Sequence, residues 1–267
     1  MAHGGIVWSD ALPGRAATAL RLRAADALDR ARGRHDPLVP PRRLWGTVGQ
    51  GDFAAVGDEF LGHLVALAGL TPDDDVLDVG CGIGRIARPL AGFLDGGSYA
   101  GFDVDERAIA WCRARYPADR FRFDVAELRN ARYRPDGPRD ASTFRFPYPD
   151  DSFDVAVMTS VLTHLLAPEA DRYLAETLRV LRPGGRLLAT FFLLDDGSRA
   201  ALREGRAAIA FRAPEGAVAV ADPSLPEEAV AYDEGWVRER VDVRAIEPGT
   251  WRGDAGRSFQ DILLSCA

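Results

Sequence analysis

The spacing of hydrophobic residues changes near residue 71. Before that point, hydrophobic residues recur at helical spacing over residues 13–34, with arginines on the opposite face, which predicts an amphipathic helix. Prolines and glycines then interrupt the pattern, and a second helix is predicted to begin after Asp52 and to end near Gly69. We therefore predict a helical N-terminal extension over residues 1–70.

Beyond this extension, short hydrophobic strands alternate with helical stretches, which is the pattern of βαβ units in a mostly parallel sheet. The strands are predicted at residues 76–79, 99–102, 120–123, 153–158, 186–194, 241–246 and 259–265. Helices are predicted between the first five strands, most clearly over residues 169–181. Residues 195–235 are too long for a plain connection, so we predict an insertion there over the ligand end of the sheet.

The composition is that of an ordinary soluble globular chain. Of the 267 residues, 47% are hydrophobic, and 33 Lys+Arg against 40 Asp+Glu give a net charge of −7. The acidic balance argues against a nucleic-acid partner. No apolar run approaches the roughly 20 residues that span a bilayer, so we expect no membrane partner. The three cysteines are widely spaced without a CxxC pair, which fits a reducing, cytoplasmic location.

A glycine-rich turn follows the first predicted strand, in the segment from Asp78 to Arg85, DVGCGIGR. A strand that runs into glycines and then into a helix lets the backbone approach a ligand closely. The dinucleotide fingerprint requires glycine where Arg85 stands, and no P-loop lysine follows. The sequence of the turn therefore argues against a binding site for NAD, FAD or ATP.

Two further acids follow the next two predicted strands. Asp103 comes at the end of YAGFD, where a carboxylate can accept hydrogen bonds from both ribose hydroxyls. Asp124 comes at the end of FRFD, at the same edge of the sheet, and suits an adenine amino group. Each acid alone fits a helix cap or a solvated strand end equally well. Together, after a glycine turn, they predict a nucleoside site.

Residues 71–194 resemble the class I S-adenosylmethionine-dependent methyltransferases. The resemblance is carried by DVGCGIGR, GFD, FRFDV, FPYPDDSFDVAVMTSV and RVLRPGGRLLATFF, in the family's order and spacing. It implies an α/β fold with a Rossmann-like seven-stranded sheet, helices on both faces, a reversed final hairpin and a cofactor-binding domain over residues 71–267. It also implies S-adenosylmethionine as the cofactor and S-adenosylhomocysteine as the product.

The resemblance carries roles onto residues of this chain. It implies that the methionine part of the cofactor is surrounded by Asp78, Gly80, Cys81 and Gly82. It also implies that Asp103 contacts the ribose and that Asp124 and Val125 contact the adenine. We also assign Arg85, Val104, Thr159 and Ser160 to the cofactor site.

His164 is the candidate general base, because a free imidazole titrates near neutral pH. The alternative is a histidine that caps or packs the following short helix. In metal-dependent relatives of the ubiquinone type this segment resembles Glu-x-x-Glu-His, whereas Ser160 and Thr163 stand at the glutamate positions here. A hard cation needs charged oxygen ligands, so we expect no metal.

The acceptor is expected to be a small molecule. O-methylation is favoured over N-methylation, because a neutral amine would not need the base. Trp45, Tyr232 and Trp251 are candidate walls of the acceptor pocket, with ordinary packing as the alternative. The first helix is either a lid or a solvated face on a packing or dimerising helix, which leaves a homodimer open. The competing functions are a protein or nucleic-acid methyltransferase and a cofactor-binding protein without transferase activity.

Overall fold

The computed structural model describes residues 15–33, 36–47, 51–130, 134 and 136–267. Two helices precede the sheet, α1 (Arg15–Ala31) and α2 (Phe53–Ala66). Residues 13, 14 and 34 of the first predicted helix lie outside the described residues. As predicted, Asp52 caps α2, because its carboxylate accepts a hydrogen bond from the backbone N–H of Ala55 at 2.9 Å.

The apolar stripe of α1 is open to solvent. Leu20 is 69% exposed and Leu28 is 48% exposed. On the other side of the helix, Asp26 and Asp29 form ion pairs with Arg42 at 3.0 and 2.6 Å. The lid and the dimerising helix both stay predictions.

In the part of the chain after α2 that the structure describes, ten strands and five further α-helices follow. The strands are β1 (Val76–Val79), β2 (Tyr99–Asp103), β3 (Phe121–Val125), β4 (Phe153–Met158), β5 (Leu181–Phe191), β6 (Leu193–Leu194), β7 (Val218–Val220), β8 (Val230–Asp233), β9 (Asp242–Glu247) and β10 (Asp261–Cys266). The helices are α3 (Ala87–Phe93), α4 (Glu106–Arg113), α5 (Ala167–Val180), α6 (Asp196–Arg203) and α7 (Glu234–Arg238).

Seven strands form one sheet in the order β3-β2-β1-β4-β5-β10-β9. The first five pair in parallel, and β10 is antiparallel to both of its neighbours. The predicted α/β sheet with a reversed final hairpin is therefore confirmed. The strand order reverses between β1 and β4, which is where open α/β sheets bind their ligands.

Helices cover both faces of the sheet, because alternate residues of each strand point to opposite sides. Leu77 and Val79 lie in one core cluster together with Leu174 of α5. Val76 lies in the other cluster, with Leu64 of α2. All five side chains are at most 1% exposed. Both faces of β1 are thus buried, and its carboxyl end is held between two helical layers.

The predicted insertion has a sheet of its own. The strands of residues 195–235 pair with β6 in the order β6-β8-β7. The predicted strand 186–194 is therefore split, since β5 ends at Phe191 and β6 turns into the second sheet. Phe192, Phe211 and Trp251 fill a separate core beneath it.

A buried carboxylate joins this second core to the main sheet. Asp261, the first residue of β10, is 0% exposed. It accepts hydrogen bonds from the backbone N–H groups of Leu193 and Gly249, both at 2.7 Å. It also accepts from Nε1 of Trp251 at 2.8 Å and from Nε of Arg252 at 2.9 Å. Four donors on two segments, Leu193 and residues 249–252, thus depend on one side chain.

We expect Asp261→Ala to lower the free energy of unfolding by about 3–5 kcal/mol, because it removes the fully buried one of the two carboxylates that pair with Arg252 and leaves the other donors to Asp261 without an acceptor. The matched control is Asp242→Ala, which breaks an ion pair whose side chains are 60% and 57% exposed. That change should cost less than about 1 kcal/mol. Urea denaturation of both variants measures the difference, and equal losses would contradict this role for Asp261.

Candidate functional site

The glycine turn after β1 lies against the end of β2. The backbone N–H groups of Gly80 and Cys81 donate to the carbonyl oxygen of Phe102 at 2.9 and 3.1 Å. Gly80 has φ +73°, and a Cβ there would come within 2.4 Å of a methyl carbon of Val161. Glycine is therefore required at this position both by the backbone conformation and by the close approach of the chain that follows β4.

Asp103, at the end of β2, holds the same turn. Its Oδ2 accepts a hydrogen bond from the backbone N–H of Gly82 at 2.8 Å, and its Oδ1 accepts from the N–H of Asp105 at 2.9 Å. Burial raises the pKa of Asp103, while these backbone donors oppose that effect. The N–H of Val104 is a third backbone donor, and a carboxylate, with about four acceptor sites, still has capacity for a ligand.

Asp78, near the end of β1 and just before the glycine turn, has a buried carboxylate. It is 1% exposed, its Oδ2 accepts a hydrogen bond from the Tyr99 hydroxyl at 2.8 Å, and its Oδ1 has no partner among the residues that the structure describes. Burial raises the pKa of Asp78 to about 7, and the neighbouring Asp103 adds to that effect. An unpaired buried carboxylate oxygen is costly, so the site favours a cationic or hydrogen-bond-donating ligand.

Asp124 lies at the end of β3 with partners on both sides. Its Oδ2 accepts from the Tyr148 hydroxyl at 3.1 Å and from Nε of Arg122 at 2.8 Å. The side chain is 22% exposed. Val125, which follows it, and Val104, which follows Asp103, are both half-buried. This edge therefore offers two aliphatic side chains beside an anchored acid.

The chain after β4 crosses in front of the glycine turn. Thr159 is half-buried, and Ser160 is exposed with φ +55°. Further on, Nδ1 of His164 lies 2.9 Å from the backbone carbonyl oxygen of Glu227, in the insertion. Because a carbonyl oxygen only accepts, Nδ1 carries the proton, and in the neutral ring Nε2 carries the basic lone pair.

Residues 77–189 match the profile of a family described as "Methyltransferase domain". Two curated relatives are Methyltransferase GfsG of Streptomyces halstedii, 32% identical over 50% of this chain, and a Fatty-acid O-methyltransferase of Mycolicibacterium smegmatis, 35% identical over 43%. The matched regions cover only 43% and 36% of those proteins. A solved S-adenosylmethionine-dependent methyltransferase from Mesorhizobium loti has the same fold, with TM-score 0.50 and 17% identity over 77% of this chain and 97% of its own.

Residues 77–189 form a class I S-adenosylmethionine-dependent methyltransferase domain. The structure brings together, at one edge of this domain, Asp78, the glycine turn, Asp103 and the segment after β4. The buried Asp78 oxygen and the side-chain-free cradle at Gly80 fit the charged amino-acid part of the cofactor. Asp103 retains acceptor capacity for a diol.

Arg85, assigned to the cofactor site, and Trp45, a candidate wall of the acceptor pocket, both lie against Phe53 at the start of α2. The Arg85 guanidinium lies over the ring of Phe53 at 5.9 Å, facing the start of α2. Trp45 stacks on the same ring at 6.0 Å, and its Nε1 donates to the carbonyl oxygen of Pro40 at 2.8 Å. Trp45 and Phe53 pack against Ile83 of the turn. They support the turn from outside.

The other two aromatic candidates are core residues. Tyr232 and Trp251 are both 0% exposed. The Tyr232 hydroxyl donates to the carbonyl oxygen of Leu165, and its ring stacks on Trp236 at 4.9 Å. Trp251 donates to Asp261 in the insertion's core. In this conformation neither ring has a surface open to an acceptor, so neither Tyr232 nor Trp251 forms a wall of the acceptor pocket.

Sequence reasoning missed two residues that the structure places at this edge. Tyr99 donates a hydrogen bond to Asp78. Gln260 bonds with Ser160 across 100 residues of sequence. Neither position has a local sequence signal, since each acts on a partner on another strand. Within the described ranges, no group of three or more His, Cys, Asp or Glu side chains could hold a metal ion, and no helix is long and apolar enough to cross a membrane.

Asp78 makes the stability of the domain depend on pH. The pKa of Asp78 is about 7 in the folded protein, against an ordinary value of 3.8. The carboxyl therefore ionises at a lower pH in the unfolded chain than in the folded protein, and the free energy of unfolding falls as the pH rises from about 4 to about 7. The loss from this group is at most roughly 4 kcal/mol. Asp78→Asn keeps an acceptor for Tyr99 and removes the titration.

We therefore expect Asp78→Asn to raise the free energy of unfolding, relative to wild type, more at pH 8 than at pH 5. Urea denaturation at the two pH values measures this. Asp119→Asn is the control, because Asp119 is an exposed carboxylate. An equal effect of Asp78→Asn at both pH values would show that Asp78 does not titrate in this range.

Proposed function

We propose that this protein transfers the methyl group of S-adenosylmethionine to an oxygen of a small-molecule acceptor, without a metal ion. The observation that carries the proposal is the unpartnered Oδ1 of Asp78, 1% exposed and beside a glycine turn that Asp103 holds. A buried anion with no internal partner is retained where a ligand supplies the partner.

Different residues at this edge of the sheet contact different parts of the cofactor. Asp78 accepts from the cofactor's amino group, and the backbone from Gly80 to Gly82 leaves room for the methionine chain. Asp103 accepts from the two ribose hydroxyls, which is why its oxygens must already be oriented by backbone donors. Bound there, the cofactor supplies an electrophilic methyl group on a sulfonium.

The remaining cofactor contacts come from neighbouring strand ends. We assign the aliphatic side chains of Val104 and Val125 to the two faces of the adenine, and Asp124 to its amino group. Thr159 and Ser160 border the site from the β4 side. Cys81 contributes its backbone, because its side chain is 4% exposed and burial raises the pKa of its thiol.

His164 is the proposed base. In the transfer, the bond between sulfur and the methyl carbon breaks while a bond between that carbon and the acceptor oxygen forms. The acceptor's hydroxyl proton passes to Nε2 of His164, which the Glu227 carbonyl keeps in the basic tautomer by accepting from Nδ1. The products are a methylated acceptor and S-adenosylhomocysteine.

The relatives support the class of acceptor. One of them is named a Fatty-acid O-methyltransferase, whose acceptor is a small molecule with an oxygen nucleophile. The chain spans less than half the length of that relative, so the acceptor is assigned on the site rather than on the name. The edge after β4 also carries uncharged hydroxyl and amide groups, which suit a hydroxylated acceptor.

Cofactor binding is tested by titrating S-adenosylhomocysteine into the protein in a calorimeter. We expect Asp103→Asn to weaken binding by about 10- to 100-fold, because it removes the charge from hydrogen bonds worth about 1.5–3 kcal/mol. Glu106→Gln is the control: it removes a nearby charge on a side chain that is 64% exposed. No binding by the wild-type protein would overturn the proposed function.

Methyl transfer is tested with methyl-labelled S-adenosylmethionine and a panel of hydroxylated and amino metabolites, glycosides included. For the acceptor found, His164→Ala should slow transfer by about 10²–10⁴-fold and leave S-adenosylhomocysteine affinity within about twofold. His164→Gln is the matched variant, because its amide can donate to the Glu227 carbonyl but cannot take the proton. Rescue by glutamine would show that His164 is a structural residue.

A further inference from the structure

Four uncharged polar side chains meet where β4 and β5 end and β10 begins. Oε1 of Gln260 accepts hydrogen bonds from the hydroxyls of Thr190 at 2.5 Å and Ser160 at 3.1 Å. Thr190 Oγ1 in turn accepts from the backbone N–H of Ser160 at 2.8 Å. The Gln260 amide nitrogen faces Thr163 Oγ1 at 3.4 Å. Thr190 therefore orients the Gln260 side-chain amide. Besides the N–H that faces Thr163, the amide nitrogen of Gln260 has a second N–H that can bond a ligand.

Gln260 lies on the other side of the strand reversal from the glycine turn. Because β10 runs antiparallel to β5, with Ile262 opposite Thr190, the start of β10 is at the carboxyl edge of the parallel strands. The turn and its acids follow β1 and β2. The ends of β4 and β5 and the start of β10 form the other half of the edge, in which Ser160 also borders the proposed cofactor site.

Ser160 is held in an unfavourable conformation in this half. Its φ of +55° is in the left-handed region, which residues other than glycine seldom adopt. The hydrogen bond from its N–H to Thr190 keeps it there, and its exposed hydroxyl is directed to Gln260. Strained residues of this kind are concentrated at ligand sites, where the surrounding structure maintains them.

The residues on either side of Gln260 are an aromatic ring and a paired carboxylate. The preceding residue, Phe259, is 49% exposed and meets Phe192 edge-on at 6.0 Å between ring centroids. The following residue, Asp261, is buried and paired with Arg252. A ligand at this position therefore meets an amide, a hydroxyl and an aromatic ring.

We propose that Gln260 is an acceptor-binding residue, and that together with Ser160 and Phe259 it selects an uncharged acceptor that joins a hydroxyl group to an apolar body. The Gln260 N–H and the Ser160 hydroxyl bond the acceptor's polar part, and Phe259 contacts its apolar part. A charged acceptor would lose hydration here, while the charged neighbours Asp261 and Arg252 are already paired with each other. This inference rests on the proposed methyltransferase function.

The test uses the full chain saturated with S-adenosylhomocysteine and four probes with the same eight-carbon tail. Two are uncharged, 1-octanol and octyl β-glucoside, and two are charged, octanoate and octylamine. Ligand-observed NMR titration gives the dissociation constants. We expect at least one uncharged probe to bind about fivefold or more tighter than both charged ones, and Gln260→Leu to weaken it by about five- to tenfold, the loss of one or two hydrogen bonds.

Ser160→Gly is the second variant, because glycine adopts the left-handed conformation without strain. It should fold at least as stably as wild type and still weaken the uncharged probe. Unchanged probe binding in both variants, preference for a charged probe, or no binding of either uncharged probe would overturn the inference. Failure of wild type to bind S-adenosylhomocysteine would instead defeat the proposed function. If Gln260→Leu loses S-adenosylhomocysteine binding, Ser160→Gly decides.

Discussion

The attachment of the glycine turn to the end of β2 determines the geometry of the candidate site. Three successive backbone N–H groups, from Gly80 to Gly82, are taken up by the Phe102 carbonyl and the Asp103 carboxylate. The turn therefore takes its shape from the neighbouring strand rather than from its own sequence alone. The same contact brings Asp103 close enough to raise the pKa of Asp78, so one set of backbone hydrogen bonds sets both the shape and the charge of the site.

The parts of the fold that could be predicted are those with local signals. The first strand, the glycine turn and the acids at the strand ends were predicted because a buried parallel strand is a continuous hydrophobic run that glycines terminate. The boundaries differ by one to a few residues; β3 continues to Val125, for example. The strand predicted at 186–194 merged two strands, since Phe191 and Leu193 are both buried but belong to different sheets. Hydrophobicity records burial and does not record which sheet buries a residue.

The long-range polar pairs could not be predicted. The partner of Asp78 is Tyr99, and the partner of Ser160 is Gln260, at separations of 21 and 100 residues. No spacing rule joins such positions, because strand order and register determine which residues meet. The buried Trp251 follows the same logic. An aromatic residue in a long loop suggests a pocket wall, but an insertion with its own sheet needs a core, and this ring fills it.

The insertion and the chemistry are linked through His164. The Glu227 carbonyl orients the ring by accepting a hydrogen bond from Nδ1. The orientation of the proposed base therefore depends on where the insertion sits. That position is held by Arg252, which bridges Asp195 at the start of the insertion and Asp261 at the start of β10. Asp261 follows Gln260 directly, so one buried ion pair anchors both the insertion that orients the base and the strand that carries the proposed acceptor-binding amide. Loosening it would disturb proton removal and acceptor binding together while the glycine turn, held by β2, kept its shape.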